Sequence, residues 1–293
     1  MKVDMLYDLK GDDISLVFRD GSSNDSTCED ASIVNGSLYL QDLGYFKLSR
    51  FDNIAQKGGY FISRYKYPTN VYLSKEAKTK ESIKELSKGM KDNEIISKKV
   101  FLGKKERLEV KMIIQKLPSK VAVERRRKLK EDTRRKRQNL TKERLDACDL
   151  TILITNIEDA KLLTSEQIIK VYTIRWQIEI MFKCWKSIMK FGQVHKMKIE
   201  RFLSMLYGHM ILVVITMKIT QYFKMISWNS YEVELSELKL FKAMKIFEKK
   251  LFTVIRENRI KGLRKMLEYI FVGVFLFAEK ERKKNKPNQL FEV

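Results

Sequence analysis

The residues best suited to chemistry lie between Tyr172 and Lys186, a stretch reading Tyr-Thr-Ile-Arg-Trp-Gln-Ile-Glu-Ile-Met-Phe-Lys-Cys-Trp-Lys. On a helix turning about 100° per residue, Arg175, Glu179 and Lys186 fall at about 300°, 340° and 320° from Tyr172. The four make a polar stripe about 60° wide. Ile174, Ile178, Met181, Trp185 and Ile188 fall on the opposite side, where a core would take them, and Trp176 and Lys183 border the stripe. A carboxylate flanked by Arg and Lys suits a metal and phosphate site: the carboxylate offers hard oxygen donors and the cations neutralise an anionic substrate. The same geometry also serves a plain solvated face with a Glu179–Lys183 pair at i, i+4.

In type and spacing, Tyr172-x2-Arg175-x3-Glu179-x6-Lys186, with Trp176 and Gln177 inside it, resembles the Tyr-Arg-Glu-Lys signature of the insertion-sequence-4 family of DDE transposases. The resemblance implies that Glu179 is the third acidic ligand of the catalytic metals. It implies that Arg175 and Lys186 hold DNA phosphates, that Tyr172 adds a hydrogen bond, and that Trp176 packs against or stacks on DNA near the cut. Further upstream, Asp42-x-Gly44-x-Phe46 matches the family's second catalytic aspartate motif. Read alone, Asp42 is a turn former, although the carboxyl end of a buried strand is also where α/β sheets put their chemistry. Tyr60–Arg64 resembles the family's Tyr-Phe-Ile-Ser-Arg strand, whose Arg and following Lys, here Arg64 and Lys66, face DNA; an edge strand with exposed bases is the alternative. The implied fold is an α/β, ribonuclease-H-like core. In it three carboxylates hold two divalent ions, usually Mg²⁺, one activating the attacking water or 3′-hydroxyl and the other stabilising the leaving oxygen. Oxygen-only ligands agree with a chain that has only His195 and His209 and no Cys-x-x-Cys.

The elements that must position these residues follow from periodicity and punctuation. Alternation over 2–9, turn residues at 10–13 and a second strand over 14–20 predict a hairpin, and a short helix is expected over 26–34. Strands are expected at 37–42 and 60–65, with a helix over 47–57 between them, closed by Gly58-Gly59. Glu94–Leu102 and Arg107–Leu117 read as strands around Gly103. A long helix over 119–145 carries twelve Lys or Arg against four acids, a plausible phosphate-binding face or a solvated helix. Leu150–Asn156 is a continuous apolar strand for a sheet centre, and Thr164 or Ser165 caps the signature helix, which is expected to run to about Gly192. Helices follow at about 198–224, 234–256 and 259–280. The resemblance implies a division into 1–70 as the first part of the core and 71–147 as an inserted β-rich subdomain with the basic helix. Residues 148–195 form the second part of the core, and 196–293 a C-terminal helical region.

In the family, the first catalytic aspartate precedes the opening hairpin. The resemblance here begins at about Lys2 and runs to about residue 220, and Asp4, Asp8, Asp12 and Asp13 lie within the hairpin itself. The expectation is therefore an N-terminally truncated transposase whose core lacks its first strand. Its Mg²⁺ binding would be weakened or lost, and it would be inactive alone in DNA cleavage. The alternative is a non-catalytic DNA-binding protein or inhibitor derived from a transposase.

A formal charge of +22 over 293 residues suggests a polyanionic partner, nucleic acid or an anionic membrane surface. Three distant cysteines, Cys28, Cys148 and Cys184, support no disulfide framework and favour a reducing cytosol. Residues 1–20 contain no apolar block of the kind a leader needs. Phe202–Met217 is apolar for 16 residues, short of the roughly 20 a membrane span requires, and reads as a buried core helix. The expected setting is cytoplasmic and nucleoid-associated, with double-stranded DNA as partner, no membrane, and by resemblance a homodimer on paired DNA ends. A basic helical protein that binds RNA or anionic membrane is the remaining reading, and it gives the stripe no role.

Overall fold

A computed structural model of the chain describes residues 2–8, 14–19, 33–137, 139–187, 197–257 and 260–279. The chain divides into two compact units that part between Arg175 and Trp176. Strands β1 (Lys2–Tyr7) and β2 (Ile14–Arg19) form a two-stranded sheet, as their alternation predicts. The helix expected over 26–34 lies outside the described residues except for Ile33 and Val34, which are not helical.

The first unit is built on a six-stranded mixed sheet. Its strands are β3 (Leu38–Gln41), β4 (Tyr60–Arg64), β5 (Val71–Tyr72), β6 (Ile95–Leu102), β7 (Leu108–Lys116) and β8 (Leu150–Thr155), in the order β3-β4-β8-β7-β6-β5. β3 and β4 run parallel, in register from Leu38↔Tyr60 to Gln41↔Ser63. Parallel neighbours need a crossover, and helix α1 (Leu48–Gln56) supplies it. α1 stops where predicted: Gly58 takes φ +73° and the Gly59 N–H bonds the Ile54 carbonyl at 2.9 Å. A Cβ at position 58 would also collide with the Asn35 side chain.

The remaining pairings are antiparallel, and β8 lies between β4 and β7. Because side chains alternate along a strand, the uninterrupted apolar run of β8 serves two layers. Leu150, Ile152 and Ile154 join Phe51, Ile54 and Phe61 on one face. Leu153 joins Ile62, Ile113, Ile168 and Val171 on the other. Helices thus cover both faces, and the Phe51 and Phe61 rings stack at 4.6 Å. Asn156 ties the end of β8 to the start of β4, accepting from the Phe61 N–H and donating to the Gly59 carbonyl, each at 2.9 Å.

The strands of the stretch after residue 70 extend this same sheet through β7 and β8 rather than closing one of their own. A short helix α2 (Ile83–Leu86) lies between β5 and β6. The basic stretch expected as one helix divides into α3 (Ser119–Arg135) and α4 (Lys142–Asp146). Arg137 takes φ +50°, which ends α3, and the Thr141 hydroxyl accepts from the Arg144 N–H to start α4. Helix α5 (Ser165–Ile174) completes the unit.

The second unit contains α6 (Trp176–Ser187), α7 (Ile199–Tyr231), α8 (Glu237–Arg256) and α9 (Ile260–Phe275). Met181, Cys184 and Trp185 of α6 pack with Val213 and Met217 of α7 and Phe241 of α8. A second cluster joins Phe223 to Leu240, Met244, Leu251, Ile270 and Val274. α7 departs from the expected core helix. It is longer, it buries a seam that includes Leu206, Val213, Met217 and Phe223, and only 22% of its most apolar window is buried. By length and composition it is the one described helix able to cross a membrane. On α8, Ile246 is 77% exposed, because it lies about 140° around the helix from the buried Phe241.

Candidate active site

In the first unit the parallel pair brings two chemically active residues to one end of the sheet. Asp42 follows β3 directly and Arg64 is the last residue of β4, so both stand at carboxyl ends of parallel strands. The Asp42 carbonyl accepts the Tyr45 N–H at 3.1 Å in a tight turn, which leaves its carboxylate half exposed. Arg64 and, two residues on, Lys66 are exposed.

Helix α5 brings the other components. Its start is fixed by a capping box in which the Thr164 side chain and Gln167 satisfy each other's backbone N–H. Ile168, Val171 and Tyr172 then bury against Ile62, Ile113 and Leu153 of the sheet. The Tyr172 hydroxyl reaches across and donates to the Gln41 carbonyl at 3.1 Å. Burial raises the Tyr172 pKa and the Asp42 charge adds to the rise, against the Arg175 and Arg64 charges, so the phenol stays a proton donor. Arg175 closes the helix, its N–H on the Tyr172 carbonyl at 3.2 Å. Its Nη1 lies 3.1 Å from Asp42 Oδ1, and its guanidinium sits 5.6 Å from the Tyr172 ring centroid.

Asp42, Arg64, Tyr172 and Arg175 therefore converge. The stretch expected as one helix is instead carried by two, α5 and α6, with Arg175 as the residue between them. Tyr172 also differs from a member of an open polar stripe: it is buried and its hydroxyl is engaged. Its aromatic ring is as much a core group as its hydroxyl is a polar one, and the ring's burial decides.

In the second unit, exposed Glu179 lines a hollow of about 350 Å³ with Trp176, Lys183, Lys224 and the start of α8. Lys224 Nζ holds Glu237 Oε1 there at 2.8 Å. Trp176 is 59% exposed at the first position of α6. Lys186 is exposed on α6, its Nζ 6.0 Å from the Phe182 ring centroid.

Near the first site, Gln41 carries no signal in the sequence, and Arg125 is marked there only as one base of the basic helix. Gln41 is buried, and its side-chain amide has no hydrogen-bond partner among the described residues. Arg125 belongs to a run of four bases that sequence alone does not rank. The signal that singles out its face is the spacing of Ala122, Arg125, Arg126, Leu129 and Thr133, the inward side of α3.

For a divalent ion, Asp42 and Glu179 each offer the hard oxygen donor that Mg²⁺ prefers. Among the described residues no three His, Cys, Asp or Glu side chains come together as a metal-binding group. Arg175 already neutralises Asp42.

The family described as Transposase DDE domain matches residues 1–215. The chain belongs to this family of DDE transposases. The transposase for insertion sequence element IS1151 of Clostridium perfringens is 33% identical over 270 residues, covering 86% of this chain and 57% of the relative. The transposase for IS231D of Bacillus thuringiensis subsp. finitimus is 28% identical over 304 residues, 97% of this chain and 62% of the relative. That for IS231F of Bacillus thuringiensis subsp. israelensis is 28% identical over 292 residues, 92% of this chain and 60% of the relative. This DDE transposase chain thus spans about three fifths of the length of the curated relatives it matches. Relatives from insertion sequences are consistent with the insertion-sequence-4 assignment drawn from the signature.

Proposed function

We propose that the chain acts in DNA transposition, as part of a DDE transposase that cleaves and transfers DNA strands at insertion-sequence ends. The observation that carries this reading is the pairing of Asp42 with Arg175 at the carboxyl ends of two parallel strands, beside Arg64. The core is read as ribonuclease-H-like, interrupted after residue 70 and resumed near 148, with a C-terminal helical region. Asp42 and Glu179 are the metal-binding carboxylates. When bound, divalent ions such as Mg²⁺ lower the pKa of the attacking water or 3′-hydroxyl and neutralise charge on the phosphate.

The chain's own side chains have distinct tasks. Arg175 orients Asp42 and brings positive charge to a DNA phosphate at the same strand end. Arg64, Lys66 and Lys186 neutralise neighbouring phosphates, and exposed Trp176 offers a surface for an unpaired base. Tyr172 is a positioning residue: it fixes the Gln41 carbonyl, and so the strand end from which Asp42 projects. The substrate is double-stranded DNA, which sets the chain at the bacterial nucleoid in the cytoplasm, acting as a homodimer on paired ends.

A second reading is a non-catalytic DNA-binding protein or inhibitor, in which the Asp42–Arg175 pair is structural. Nicking of supercoiled plasmid DNA in Mg²⁺ or Mn²⁺ separates the two. Cleavage lost in Asp42→Asn and Glu179→Gln, with DNA binding kept, supports the transposase reading. Binding without any cleavage supports the second, and cleavage that survives both substitutions contradicts the site.

A further inference from the structure

The charge pattern of α3 sorts its bases into two groups. Arg126 is paired with Asp149, Arg127 with Glu131, Lys128 with Glu124, and Arg135 with Asp132. Lys120, Lys130 and Arg134 are exposed, and Arg125 differs from all of these in its burial and anchorage. It is half-buried, its Nη1 donates to the Leu150 carbonyl at 3.3 Å, and among the described residues no carboxylate pairs with it. Burial first, and then the Arg64 charge, push the Arg125 guanidinium below its ordinary pKa, against an opposing influence of Cys148. The sheet register explains the proximity. Arg64 pairs with Leu153 on β8, the Tyr65 N–H bonds the Ile152 carbonyl, and Leu150 lies two residues further along, where Arg125 is anchored.

Two guanidiniums served by adjoining strands, Arg125 partly desolvated on the Leu150 carbonyl of β8 and Arg64 at the end of β4, neither with a carboxylate partner among the described residues, are an arrangement that an anion stabilises. Arg64 also acts on Tyr172, which lies beside Arg175 and Asp42. A line of positive groups therefore leads from the Asp42 site, through Arg64, to the inward face of α3.

We propose that Arg125 and Arg64 together hold one phosphate of the DNA backbone, so that the strand leaves the Asp42 site along β4 and onto α3. This rests on the DNA-binding reading of the Asp42 site and adds a contact which that reading does not contain. The carboxylate-paired bases of α3 are then the poorer phosphate ligands, because each must first give up its partner.

The test is binding of the full chain to a short random-sequence DNA duplex over a range of salt concentrations, without divalent ions, comparing wild type with Arg125→Gln, Arg125→Lys and Arg127→Gln. Each neutralised phosphate contributes about 0.9 to the slope of log K against log salt. Arg125→Gln is expected to make the slope shallower by about one, with Arg125→Lys close to wild type and Arg127→Gln changing it little. A slope unchanged in Arg125→Gln, while wild type binds DNA with a clear salt dependence, overturns the proposal and leaves the Asp42 site standing. Failure of wild type to bind the duplex removes the DNA-binding reading itself. Should Arg125→Gln not fold, arginine modification of the wild-type protein decides. Protection of Arg125 from phenylglyoxal by the same duplex supports the contact, and equal modification with and without DNA refutes it.

Discussion

Arg175 Nη1 stands 3.1 Å from Asp42 Oδ1, joining the last residue of one helix cap to the first residue beyond a β-strand. The arginine is largely shielded while the carboxylate is half exposed. Such a pair contributes modestly to stability, since the freed Asp42 can rehydrate. Arg175→Gln is therefore expected to cost about 1–2 kcal/mol in denaturant unfolding. The same substitution is expected to weaken duplex DNA binding roughly tenfold at low salt, since a charge-assisted phosphate contact is lost. A large stability loss with unaltered DNA affinity would mark the pair as structural only.

The hydrogen bond from Tyr172 to the Gln41 carbonyl ties α5 to the end of β3. Tyr172→Phe keeps the buried ring and removes only the hydroxyl, so about 1 kcal/mol of stability is expected to go. If Tyr172 positions Asp42, metal-dependent cleavage falls in this variant while the salt slope of DNA binding stays put. A loss of DNA affinity of equal size at every salt concentration would instead assign the hydroxyl to a phosphate.

Thr164 acts further back in the same chain of causes, since its capping box fixes where α5 begins. Thr164→Ala should destabilise the protein by about 1 kcal/mol, and Thr164→Ser by less, because serine is an equally good cap. Thermal melts of the two variants measure this, and equal losses would argue against the cap as the cause.

Cys184 is buried between α6 and its neighbours, and burial foremost, then the Glu237 charge, pushes its thiol from 9.0 to about 12. A thiol with so little thiolate should resist alkylation at pH 8 in the folded state and react on unfolding. A raised pKa means that the folded state keeps its proton after the unfolded chain has lost it. Its contribution is thus intact below about pH 9 and is lost as pH rises towards 12. In that window Cys184→Ala should flatten the alkaline decline by up to about 1.4 kcal/mol per pH unit. Parallel alkaline profiles for wild type and variant would refute the assignment.

Much of the first unit was legible because its signals are local. Gly58 ends α1, Thr164 starts α5, and the apolar run of β8 announces a strand covered on both faces. Asp42 and Arg64 were legible as motif residues, but only the parallel register of β3 and β4 shows why they share one end of the sheet. Tyr172 was misjudged as part of an open stripe because helical angles record direction and not the depth of the surface being faced. The break between α3 and α4 was missed because charge dominates that stretch and hides the weaker Thr141 cap. For α7, composition indicated a core helix, yet burial depends on how much neighbouring surface is available, which composition does not encode.

The proposed DNA cleavage depends on Asp42 and Glu179 each binding a divalent ion. Ferrous ion, substituted for Mg²⁺ and used with ascorbate and peroxide, cuts the polypeptide where the metal is held, so mapping the cuts by mass spectrometry tests the claim most directly. The expected result is cutting near both Asp42 and Glu179, suppressed by excess Mg²⁺, with the Asp42 cut lost in Asp42→Asn. Cutting elsewhere only, or cutting at Asp42 that persists in Asp42→Asn, would contradict it.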